Sequence, residues 1–246
     1  MSTFQKRWWL VVLPLIASCN GGSPPSAPTL PTPASISITG TDLILVGSSD
    51  TFTALSETGA ALEGMWGTDA PTVAAVEAYT GRVTAVGTGT ATIFVDAKGI
   101  RATKSIRTLP NFSGTWAGMY EETACEASGD FVALRVCPTS EYDFAIGQMK
   151  MTLTQTRDSV SGEVNLRGGT ASDVSGNISP EGTLTFTGAA RDSKFDIELH
   201  NVRFELPQRD EMTGTFEEVY LSRTAAPSGG WRMVSRIRMT RYRPIG

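Results

Sequence analysis

Short runs of alternating apolar and polar residues, punctuated roughly every ten residues by glycine or proline, constrain this chain more than any other feature. Successive side chains of a strand point to opposite faces, so period-two runs mark strands that bury one face and wet the other. Between Ile36 and Thr108 such runs include Ser35-Ile36-Ser37-Ile38 and Thr51-Phe52-Thr53-Ala54, with the apolar stretch Leu43–Val46 ahead of Gly47. Breakers stand at Gly40, Gly47, Gly59, Gly64, Pro71, Gly81, Gly87 and Gly99. No window of helical length in this stretch carries the i, i+3, i+4 apolar repeat, so an all-β sandwich is expected over residues 35–109.

Leu109-Pro110-Asn111 marks a boundary, and residues 111–246 read as a second all-β region. Its candidate strands are Phe112–Glu122, Phe144–Thr156, Ser159–Leu166, Ser172–Ser179, Thr183–Ala189, Lys194–Phe204, Glu211–Leu221 and Trp231–Tyr242. Tight joints such as Arg157-Asp158 and Pro180-Glu181-Gly182 make sequence neighbours antiparallel. Eight meandering strands remove both sheet edges by closing, which predicts an antiparallel barrel. Met149, Met151 and Leu153 share one face, as do Leu184 with Phe186, and Phe195 with Ile197 and Leu199; polar residues hold the opposite faces. A greasy inside and a polar outside is the pattern of a soluble barrel rather than a membrane-spanning one.

Two resemblances sharpen this reading. The segments Met65-Trp66-Gly67-Thr68-Asp69-Ala70-Pro71-Thr72-Val73-Ala74 and Gly81-Arg82-Val83-Thr84-Ala85-Val86-Gly87-Thr88-Gly89-Thr90-Ala91-Thr92-Ile93 resemble the bacterial immunoglobulin-like domain of group 2, known from invasin- and intimin-type surface proteins. The resemblance implies a stalk or interaction module with Trp66 as a core plug. Gly67 and Thr68 stand where that family carries serines. Gly87-Thr88-Gly89 lies between two β runs and precedes no helix, so it reads as turn chemistry and not as a phosphate cradle. Phe112-Ser113-Gly114-Thr115-Trp116 resembles the Gly-x-Trp that opens lipocalin-like and avidin-like barrels. In lipocalins a late arginine packs over that tryptophan, a part open here to Arg236, Arg238 or Arg241.

The start of the chain has the three parts of an export signal. Lys6 and Arg7 precede the apolar run Trp8–Ala17, which as a helix would reach only about 15 Å, too short to span a bilayer. Ile16-Ala17-Ser18-Cys19 resembles the lipobox of bacterial lipoproteins, which implies cleavage after residue 18 and lipid on Cys19. Asn20 follows where inner-membrane lipoproteins often carry aspartate, which by that sorting rule favours an outer membrane. Residues 20–34 hold five prolines among Gly, Ser and Thr, a tether reaching up to about 45 Å. The expected order is leader 1–18, lipidated cysteine and tether 19–34, sandwich 35–109 and barrel 111–246.

The whole chain carries 21 Lys and Arg against 25 Asp and Glu; the leader removes two bases, leaving 19 against 25, a net charge of −6. That balance offers no general attraction to nucleic acid. With Cys19 acylated, Cys125 and Cys137 remain, and an exported chain favours a disulfide between them. No metal site is expected, because neither cysteine has His or Cys company at ligand spacing and the acids Glu121, Glu122, Glu126 and Asp130 lack the order of a calcium loop. His200, the sole histidine, sits mid-strand without a nucleophile or orienting acid fixed nearby. It reads as a bystander, so neither catalysis nor a cofactor is expected. Arg232, Arg236 and Arg238 share parity, with Arg241 and Arg243 beyond them. They read either as a contact for an anionic glycan or headgroup, or as partners of acids such as Glu217 and Glu218 on the preceding strand.

The functional expectation is therefore a membrane-anchored binding or interaction lipoprotein, surface or periplasmic, with the sandwich as spacer and the barrel as head. Two alternatives stand beside it: a lipocalin-like carrier of a small apolar ligand, and an inhibitor of an exported hydrolase. Met149, Met151, Leu153, Leu184, Phe186, Ile197 and Leu199 line a cavity in the carrier reading and pack as core in the others.

Overall fold

The computed structural model describes residues 34–140, 145–166, 171–191 and 193–242. The leader, Cys19, the tether up to residue 33 and Arg243 lie outside the described residues.

The first ten strands form the β-sandwich. They are β1 (Ile36–Thr39), β2 (Leu43–Leu45), β3 (Ser49–Thr51), β4 (Thr53–Ser56), β5 (Ala61–Leu62), β6 (Met65–Thr68), β7 (Ala74–Val76), β8 (Arg82–Ala85), β9 (Gly89–Ala97) and β10 (Ile100–Leu109). Sheets run β1-β4-β5, β3-β8-β7 and β2-β10-β9-β6, all antiparallel except the β2–β10 pair. The alternation does what it predicted: β9 buries Ala91, Ile93, Val95 and Ala97 and turns the residues between them outward. These pack with Phe52, Trp66, Val83 and Ile106 into one core, where Trp66 is the plug expected. Gly81 (φ 67°) lies so close to the Trp66 ring that a Cβ would stand 2.9 Å from it.

Eight strands then close a barrel in sequence order: β11 (Gly114–Gly129), β12 (Ile146–Thr156), β13 (Ser159–Leu166), β14 (Ala171–Ile178), β15 (Leu184–Arg191), β16 (Phe195–Gln208), β17 (Glu211–Ser222) and β18 (Gly229–Arg241). A short helix, α1 (Asp130–Ala133), follows β11. The chain is thus an all-β sandwich followed by an eight-stranded antiparallel barrel. In β12 every second residue from Gly147 to Gln155 is buried. Met149, Met151, Leu153, Leu184, Phe186 and Leu199 join Trp116, Tyr120, Phe204, Phe216, Met212 and Met239 in one interior cluster. Ile197 departs from expectation: near the start of β16 it is only half-buried and stands outside that cluster. Trp116, Met151, Leu184, Phe204, Met212, Phe216 and Met239 have no surface accessible to water, so these side chains fill the interior and leave no water-sized space against them.

The sandwich seals one end of the barrel. Its Leu43 and Leu109 belong to the barrel's core cluster, together with Phe112 from the connecting segment. Gln155, buried at this end, accepts the Phe112 N–H at 2.8 Å and donates to the Pro110 and Arg157 carbonyls. Trp116 donates its indole N–H to the Phe112 carbonyl at 2.8 Å. Of the three arginines open to the part, it is Arg241 whose guanidinium lies 4.4 Å over the Trp116 ring. Arg241 also donates to the carbonyls of Ser113 and Asn111. On the rim Arg157 grips Asp42 of the sandwich through two 3.0 Å hydrogen bonds.

Candidate functional site

With the lumen filled and one end sealed, the barrel's remaining loop end is the candidate site. The strand carrying its disulfide runs further than the sequence suggested. The expected long connection Glu122–Asp143 is in part strand, because β11 continues to Gly129 against β18 after a register shift between Glu122 and Ala124. That pairing needs no apolar alternation of its own, which is why the polar Glu122–Ser128 stretch looked like loop.

Cys125, near the end of β11, is bonded to Cys137, so residues 126–136 form a closed excursion. Inside it, Phe131 is 3% exposed and points down into a group of rings. It meets Trp231 at 5.3 Å and Phe195 at 6.0 Å, while Tyr220 stacks flat on Trp231 at 4.6 Å. Asp130 clamps the excursion to the β17–β18 connection, accepting the Ser228 backbone N–H at 2.7 Å and its hydroxyl at 3.1 Å. These bonds hold the Asp130 carboxyl below the usual carboxylate range, the backbone N–H contributing most. Held from beneath by Phe131, from the side by Asp130 and at its base by the disulfide, the excursion turns Val132, Leu134 and Val136 outward, the first two about 60% exposed. Leu221, at the end of β17, is exposed on the same end of the barrel.

Beneath the rings lies a polar layer that sequence reasoning missed. Glu122 and Glu218 are 2% and 0% exposed, and Ser235, the cross-strand partner of Glu122, is fully buried with them. Tyr220 donates its hydroxyl to Glu218 at 2.6 Å, and the Ala145 N–H donates to Glu122 at 3.2 Å. Parity along β11 and β17 was the available signal: Glu122 follows Trp116 and Tyr120 at even spacing, and Glu218 follows Met212 and Phe216. Sealed from solvent, these two acidic side chains belong to the interior of the barrel and not to its surface.

The other candidates are placed as follows. Arg232, Arg236 and Arg238 do share the outer face, but each stands against carboxylates. Arg232 lies 3.1 Å from Glu126 and 3.2 Å from Glu217, Arg236 is 2.7 Å from Glu121, and Arg238 is 2.5 Å from Glu211. The Glu126 and then the Glu217 contact raise the Arg232 pKa above the usual guanidinium value. The partners come from both neighbouring strands, and Glu218, expected among them, points inward instead. The acids Glu121, Glu122, Glu126 and Asp130 are dispersed to these separate tasks. Among the described residues no group of three or more His, Cys, Asp or Glu side chains is placed to hold a metal ion. His200 is exposed on β16 with its Nε2 2.7 Å from Glu198, two residues away on the same strand.

No family model and no curated protein matches this chain. Among solved structures it is similar to the crystal structure of human protocadherin-24 EC1-2, at 12% identity and a TM-score of 0.30, over 82% of this chain and 94% of that one. Likeness at that score carries no argument about function.

Proposed function

We propose that this chain is a membrane-anchored binding lipoprotein, exported and tethered through Cys19, in which a sandwich of the bacterial immunoglobulin-like group 2 type carries a barrel head that engages a partner through its disulfide-braced end. The observation that carries this reading is the filled lumen: seven large interior side chains from β11, β12, β15, β16, β17 and β18 expose none of their surface. A head without internal space works through its exterior. The sandwich occupies one end, and carboxylates face Arg232, Arg236 and Arg238 on the wall, which favours the end bearing Val132, Leu134 and Val136. The same braced loop supports inhibition of an exported hydrolase as a second reading, since a loop already held by a disulfide loses little conformational entropy on binding.

Two measurements test the proposal. Intact mass of membrane-extracted protein should show a chain starting at Cys19 with acyl mass, and Cys19→Ser should shift the protein to the soluble fraction. A photo-crosslinking residue at Leu134 should trap a discrete envelope component, which the same residue at wall-exposed Met119 should not. Equal products from both positions would remove the braced end from its assigned role.

A further inference from the structure

The junction of sandwich and barrel holds a cleft of about 850 Å³, within the range typical of small-ligand sites. One wall is the sandwich, with Val46 and Gly47 and the turn through Val86 to Thr88; the other is the end of β16 and the turn into β17, from Leu206 to Asp210. Its charges are unequal in availability. Asp210, the sole acid lining it, lies 3.3 Å from Arg241, and Arg241 is further occupied by the Asn111 and Ser113 carbonyls. Arg209 is exposed and has no carboxylate within ion-pair reach among the described residues. Its guanidinium lies flat against Gly47, where a Cβ would meet Cζ at 3.4 Å. Gly47 has φ 88°, so glycine both adopts the turn and leaves the guanidinium room to lie there. The apolar lining is aliphatic, from Val46, Val86, Pro110, Leu206 and Pro207, with no aromatic ring on which a sugar would stack. An uncommitted guanidinium at one point of an aliphatic cleft, with no uncommitted acid, complements one negative charge on an apolar body.

We infer that this junction cleft binds an aliphatic carboxylate, with Arg209 receiving the carboxylate and Val46, Val86 and Leu206 the aliphatic part. The chemistry has two natural sources, a fatty acid and the free C-terminus of a peptide ending in an aliphatic residue. The site is separate from the braced end, so this inference does not rest on the proposal above.

Isothermal titration calorimetry of the mature chain with decanoate, with acetyl-Ala-Val-Leu bearing a free carboxylate, and with the same peptide amidated is the test. Saturable binding of decanoate alone assigns the site to fatty acids, and binding of the free-acid peptide alone assigns it to C-termini. In either case the matching uncharged compound, decanol or the amide, should bind at least tenfold more weakly. Arg209→Gln should lose at least tenfold in affinity with an unchanged melting temperature. Val86→Asp, which places a negative charge on the opposite wall from an exposed position, should lose as much. Arg203→Gln, an exposed arginine away from the cleft, should change nothing. Absence of binding by both carboxylates, or binding indifferent to the charge of the ligand and to both cleft variants, overturns the inference.

Discussion

The two ends of the barrel are closed by different means. At the sandwich end, Leu43, Leu109 and Phe112 extend the apolar core across the domain boundary, and Gln155, Trp116 and Arg241 satisfy the backbone of the connecting segment. At the other end, closure is by a ring cluster over two buried glutamates, under a segment pinned by a disulfide and by Asp130. The first is what stability alone favours: apolar burial with its polar groups paired. The second keeps aliphatic side chains in water and acidic side chains out of it, two choices that cost folding free energy. An end that accepts such costs yet is braced three ways is shaped for something other than stability.

The comparison can be broken by substitution. The largest effect is expected at the sandwich end, where Trp116→Ala removes a fully buried ring, an indole hydrogen bond and the platform under Arg241. Chemical denaturation should show a loss of about 3–5 kcal/mol, the usual cost of deleting a large core aromatic. At the other end, Cys125→Ser with Cys137→Ser opens a link between residues 12 apart. By chain-entropy reckoning this should cost about 3 kcal/mol, with the barrel still folded and crosslinking from Leu134 lost. A mutant that unfolds outright would make this bridge structural and weaken the distinction between the ends.

A smaller effect is expected for Asp42→Ala, which breaks the two-bond contact with Arg157 on the sandwich rim. Both side chains are more than half exposed and screened by solvent, so the loss should be smaller than that of either variant above. The smallest concerns acid. Asp130 is held ionised by Ser228, with its folded pKa below the unfolded one. Its clamp therefore contributes above the unfolded carboxylate value of about 3.9 and is lost as pH falls through the lower folded value. Hydrogen exchange of residues 126–136 should quicken in that acid window while the Trp116 region stays protected. Simultaneous loosening of both would contradict their separate construction.

Much of this architecture was legible in the residues. Period-two alternation located all eight barrel strands, and the inward faces of Met149-Met151-Leu153 and Leu184-Phe186 followed from parity alone. The disulfide followed from cysteine number together with the expectation of export. What stayed hidden depends on partners distant in sequence. β11 beyond Glu122 is strand because β18 pairs with it, and its own composition gives no sign of this. Arg241 rather than Arg236 or Arg238 covers Trp116 because parity turns it inward at the strand's end. The merging of Leu43 and Leu109 into the barrel core comes from three-dimensional apposition, which no local pattern encodes. Glu122 and Glu218 sat on inward parity, but their charge argued for the surface.

The central claim, a solid head that acts through its exterior, is tested most directly by titrating the mature chain with the neutral apolar fluorophore N-phenyl-1-naphthylamine. A filled lumen predicts no saturable fluorescence gain attributable to the barrel, and the same null trace for Phe186→Ala, whose ring is one of many in the interior. Saturable one-to-one binding by the unmodified chain, abolished by Phe186→Arg in a protein that still melts cooperatively, would establish a carrier and contradict the account.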